Sequence, residues 1–137
     1  MATRVLVAAS AALVILLGLV HLGYTFWTRK LSPRDRELEA RMQLVPLVLS
    51  PKALMGRAWV GFNASHGLGL LGFGLVYGYL ALFQLDFLLH TPVLVVVGGL
   101  WLWGYVVLAL RYWFSVPLRA VALALALYLV GFAVAWH

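Results

Sequence analysis

The chain has 137 residues, of which 65% are hydrophobic and only 10% charged, with a formal charge of +6 and no cysteine. A water-soluble domain carries about a quarter charged residues, so this composition and a mean hydropathy of +1.02 exclude a soluble globular protein and point to an all-α integral membrane protein. The missing cysteine removes disulfides, thiolate metal sites and cysteine nucleophiles. The basic residues gather in the segments between apolar runs, which fits anchoring to anionic lipid and argues against nucleic acid as a partner.

Four apolar runs follow in order. The first, residues 5–27, has the roughly 20 residues needed to cross a bilayer, and it runs on through His21 to the interfacial aromatics Tyr24, Phe26 and Trp27. No A-x-A site follows it, so it is read as a helix and not as a signal peptide. Residues 28–56 form the polar connector. Within it Ser32-Pro33-Arg34-Asp35 predicts a helix capped by Ser32, whose edge Leu31, Leu38, Met42 and Val45 would lie on the membrane surface until Pro46 and Pro51 end it.

The second run, residues 57–84, would be about 40 Å long and should tilt or protrude. Trp59, Asn63, His66 and Leu70 share one stripe of it, and Gly61, Ser65, Gly69 and Gly72 share another roughly 130° away. Gly67, Gly74 and Gly78 suggest close helix packing. Asp86 and His90 fall in a short turn before Pro92 opens the third run, residues 92–114, where Gly98, Trp101, Tyr105, Leu108 and Tyr112 share a stripe. The fourth run, residues 118–136, has Tyr128 as its one polar side chain beyond Arg119 at its start and is expected to cover the bundle.

Seven basic residues (Arg29, Lys30, Arg34, Arg36, Arg41, Lys52, Arg57) lie between the first two runs, and Arg111 and Arg119 between the last two; only Arg4 lies on the other side. The positive-inside rule then places both termini outside and the connector in the cytoplasm, which would be the inner membrane of a bacterium. Counting from Arg57, Arg111 and Trp27 puts His66 at a depth of about 14 Å and Tyr105 and His21 at about 9 Å. Polar groups in hydrocarbon are costly unless paired. A single four-helix domain over residues 1–137 is therefore expected to hold a polar pocket near the cytoplasmic leaflet, built from His21, Tyr24, Asn63, His66 and Tyr105 with Arg57 and Arg111 at its rim.

Such a pocket suits an amphiphile such as a lipid, quinone or isoprenoid, with His66 the candidate for acid–base chemistry. Two alternatives stand beside it. His21 and His66 could ligate a b-type haem, or the same groups could be interhelical hydrogen bonds in a structural or accessory subunit that packs through the Gly61, Ser65 and Gly69 face. No carboxylate lies in an apolar run, which disfavours a metal hydrolase.

H-L-G-Y-T-F at 21–26 and G-F-N-A-S-H-G at 61–67 resemble small four-helix bacterial membrane proteins with H-L-x-x-T-F in the first helix and G-F-N-x-S-H-G in the second, a resemblance that implies no activity. In length, in its basic connector and in Arg57 and Asn63 opening the second helix, the chain is also similar to the membrane-associated eicosanoid and glutathione (MAPEG) enzymes. That resemblance implies a homotrimer holding glutathione between subunits and acting on a lipophilic substrate. The family has a glutamate three residues after the asparagine, where this chain has His66, and its arginine spacing differs. Both departures put the thiol cofactor in doubt.

Overall fold

The structure, a computed structural model, describes residues 1–136. It is mostly helical, at 80%, and four of its helices are long and apolar enough to cross a membrane. In chain order the elements are α1 (Ala2–Trp27), α2 (Arg36–Met42), β1 (Pro46–Leu47), β2 (Ser50–Leu54), α3 (Met55–Phe83), α4 (Leu85–Leu89), α5 (Pro92–Tyr112) and α6 (Ser115–Ala135).

The long helices begin two or three residues earlier than the apolar runs suggest, except α5, which begins at Pro92 as expected. Proline at the first position of α5 and at the third of α6 is tolerated because first-turn N–H groups have no intrahelical acceptor to lose. Three local expectations change. Asp35, and not Ser32, caps α2: its carboxylate accepts from the Glu37 and Leu38 N–H groups at 2.8 and 3.2 Å. The connector also contains an antiparallel hairpin, β1–β2, which the two prolines concealed. Finally, Asp86 lies in the one-turn helix α4 and His90 caps its end, with Nδ1 2.8 Å from the Asp86 carbonyl.

The chain divides into two compact units. The first comprises Met1–Leu17 and Leu70–His137, so it takes the beginning of α1, the second half of α3, and α4 to α6. Its core follows from alternating three- and four-residue spacings, the periodicity that keeps one seam of a helix facing its neighbours. On α5 these are Val95, Gly98, Leu102, Tyr105 and Ala109, and on α6 Val121, Ala124, Tyr128 and Gly131. Val7, Ser10 and Val14 of α1 and Phe73, Tyr77 and Ala81 of α3 complete it. Gly74 lets α1 come within 2.9 Å, measured from an added Cβ to the Ala11 carbonyl, as the glycine spacing suggests.

Three polar groups in this core donate to main-chain carbonyls. Ser10 donates to Ala124 (2.7 Å), Tyr77 to Leu94 (2.7 Å) and Tyr128 to Val95 (2.9 Å). Only 28–33% of each long helix's apolar window is buried, leaving outward surface dominated by residues such as Leu75, Leu100, Leu110 and Leu129. That much exposed apolar surface exceeds what a monomer in water sustains, and it supports a membrane setting.

The second unit is Gly18–Gly69: the end of α1, the connector with α2 and the hairpin, and the first half of α3. Gly67 is its close-approach point, where an added Cβ would lie 2.7 Å from Leu22 and 3.4 Å from the Gly18 carbonyl. The connector is fastened to α3 by the Trp59 indole, which donates to the Leu31 carbonyl at 2.8 Å, and by Met55 N–H, which donates to Val45 at 2.9 Å.

Candidate functional site

The Gly18–Gly69 unit brings together His21, Asn63 and His66. His21 is on α1, six residues before its end, and Asn63 and His66 are three residues apart on α3, hence on one face. The imidazole centroids of His21 and His66 are 4.8 Å apart with their planes at 60°. Asn63 engages His21 through its side chain and main chain, while its amide donates to the Trp59 carbonyl at 2.8 Å. These contacts do not complete the His21 ring. Its Nε2 is buried and has no hydrogen-bond partner, the one such side-chain atom among the described residues.

Toward the connector, a recess of about 30 Å³ is lined by Tyr24, Thr25, Thr28, Leu31, Trp59 and Asn63, among others. It can take a water or a single hydroxyl-sized group, but not the body of a ligand. Thr25 and Thr28 turn their hydroxyls back onto the α1 carbonyls of His21 and Tyr24, at 2.8 and 3.1 Å. Lys30 donates to the Tyr24 hydroxyl at 3.1 Å and stands 4.3 Å from its ring centroid. Arg57 is exposed in the first turn of α3.

Tyr105 and Arg111 belong to the first unit. There Tyr105 is buried, its ring 6.4 Å from that of Trp113 and its hydroxyl engaged by Trp101; Arg111 is exposed in the last turn of α5, where a cation complements the helix dipole. The expected aromatic stripe of α5 is split, with Gly98 and Tyr105 buried and Trp101, Leu108 and Tyr112 exposed. The small-residue stripe of α3 is likewise not a packing face within the chain at Gly61 and Gly72, where an added Cβ would meet nothing within 4 Å. Ser65 is exposed and donates to the Phe62 carbonyl at 2.9 Å.

Sequence reasoning missed the buried tyrosine pair. The Tyr77 and Tyr128 rings lie 5.8 Å apart, edge to face, with Phe73 stacked 4.5 Å from Tyr77 and Phe132 tilted at 58° and 4.8 Å from Tyr128. The i, i+4 repeats Phe73/Tyr77 and Tyr128/Phe132 were the available signal.

Chemically, the unit offers two adjoining imidazoles, an amide and no carboxylate, since the acidic residues of this unit, Asp35, Glu37 and Glu39, all lie in the connector. Among the described residues, no group of three or more histidine, cysteine, aspartate or glutamate side chains is placed to hold a metal ion. The arrangement can donate or accept hydrogen bonds and pass a proton; it has no nucleophile–base–acid triad. Comparison with family models, curated proteins and solved structures finds no match to this chain.

Proposed function

We propose that this is a small membrane protein that crosses the bilayer four times, with both termini outside and the basic connector in the cytoplasm. It binds the oxygen-bearing head of a lipid-like amphiphile (a lipid, quinone or isoprenoid) at His21, Asn63 and His66, with Tyr24 and Arg57 toward the connector. The observation that carries this reading is the orphaned Nε2 of His21. A buried polar atom without a partner costs about 1–3 kcal/mol, and in a membrane span water is not there to relieve it. A hydroxyl or carbonyl oxygen from a bound ligand would.

The recess beside Asn63, which neither histidine lines, takes no more than a hydroxyl-sized group at about 30 Å³, so the apolar body of such a ligand would stay in the bilayer. Tyr105 is left out of the proposed site, since Trp101 and Trp113 account for it within its own unit, and Arg111 goes with it. His66 is the group to exchange a proton with such a head. The haem reading fares less well: with centroids 4.8 Å apart the two rings touch, and a macrocycle between them would require them to separate.

The test is purification in mild detergent, a visible spectrum, and mass spectrometry of the extract. The expected result is a colourless protein carrying about one amphiphile per chain, with at least tenfold less retained in His21→Ala and His66→Ala while the melting temperature falls only a few degrees. A Soret band lost in both variants would replace this reading with haem binding. An empty wild-type protein would leave the histidines a structural role.

A further inference from the structure

The turn of the β1–β2 hairpin is made by Val48 and Leu49, between the paired residues Leu47 and Ser50. Two-residue turns facing water are normally Asn-Gly, Asp-Gly or similar, chosen for positive φ and for solvation. No described residue here has positive φ, so the turn does not demand those residues, yet nothing in the fold demands two large aliphatic ones either. Val48 and Leu49 are 109% and 91% exposed, and Leu44, before the hairpin, is 77% exposed. The surrounding charge is one-sided: from Thr28 to Arg57 there are seven basic residues and three acidic ones, Asp35, Glu37 and Glu39, with Lys52 on β2 itself.

We infer that the Val48–Leu49 turn is a wedge that enters the headgroup region of an anionic bilayer while basic residues of the connector, Lys52 on β2 first among them, pair with lipid phosphates. The inference rests on the four-crossing reading, because the connector leaves α1 at Trp27 and joins α3 at Met55, and this tethers the hairpin beside the membrane at both ends. Met55 N–H, bonded to the Val45 carbonyl at 2.9 Å, fixes the base of the hairpin to the start of α3. Apolar side chains at the tip and cations behind it form the same two-part device as an interfacial amphipathic helix, in a turn. A lipid surface is favoured over a protein partner because the excess of basic residues is spread along the connector and not gathered at one point.

The natural chain has no cysteine, so single labels are clean. Leu49→Cys, Val48→Cys and, as an exposed control in the connector, Arg34→Cys would each carry an environment-sensitive fluorophore. Each full-length protein is then reconstituted in vesicles of phosphatidylcholine with 30% phosphatidylglycerol. Resistance to carbonate extraction checks the membrane-spanning reading separately. In inserted protein, the expected result is that both tip labels are blue-shifted and quenched at least threefold more by lipid-borne nitroxide than the Arg34→Cys label, and that the difference shrinks in pure phosphatidylcholine. Iodide quenching of the tip equal to the control overturns the wedge. So does protection that disappears when the protein is diluted in lipid and is accompanied by cross-linking through Leu49→Cys, which would make the turn an interface between copies.

Discussion

Gly98 shows how a single position sets the inside of the first unit. A Cβ there would lie 2.6 Å from the Tyr77 ring and would also collide with the Tyr128 hydroxyl. Both tyrosines donate to α5 carbonyls a few residues earlier, at Leu94 and Val95. Gly98→Ala therefore has to displace two hydrogen-bonded rings that pack edge to face, and it is expected to destabilise the protein by about 1–3 kcal/mol. Gly61→Ala and Gly72→Ala add a methyl into open space and are expected to stay within about 0.5 kcal/mol of wild type. Thermal unfolding of the three variants in one detergent checks this; equal loss in all three would contradict the packing described. Glycine identity did not distinguish these positions in the sequence. What separates them is which neighbour comes close, a fact set by other helices.

At the scale of elements, α2 is held by charge more than by burial, since none of its residues is buried. Asp35 caps it, and Glu39 bonds to Arg29 and lies 3.6 Å from Arg36. The hydrogen bond from the Arg29 guanidinium, helped by the charge of both arginines, holds the Glu39 carboxyl below its usual range. A lowered folded-state value means that the contribution is present above the ordinary glutamate range and is lost as pH falls through the lowered value. Protease cleavage of the connector should therefore be slow at neutral pH and rise on acidification through and below the ordinary glutamate range. Glu39→Gln should remove that step and raise cleavage at neutral pH. A connector equally protected in Glu39→Gln would show that the ion pair does not hold α2. The serine–proline pair at 32–33 pointed to a helix start here, but the cap fell to Asp35 because its carboxylate reaches two free N–H groups.

For the whole molecule, the distribution of basic residues makes the sharpest claim. Nine of the ten lie in the connector, at its α3 end, or at the adjoining ends of α5 and α6, and one lies at Arg4. A reporter fused to the carboxyl terminus is expected to be active outside the cytoplasm, and one inserted beside Arg34 inside it. The reverse pattern would invert the proposed orientation and would put the basic connector, with the hairpin, on the outer face.

The sequence by itself determined four apolar spans and the polar connector, and it marked His21, Asn63 and His66 as candidates by depth and spacing, because hydropathy and helical spacing are properties of local sequence; that the two imidazoles adjoin was decided by packing. It could not decide which stripe of each helix turns inward. When every face of a helix is apolar, burial leaves no contrast to read, so the choice falls to shape: Gly67 and Gly74 against α1, and Gly98 beneath two tyrosines. For the same reason Tyr105 entered the expected pocket by depth alone, whereas the tertiary structure assigned it to Trp101 and Trp113. Depth counts residues along one helix; contact depends on the rotation of several, which only their mutual packing fixes.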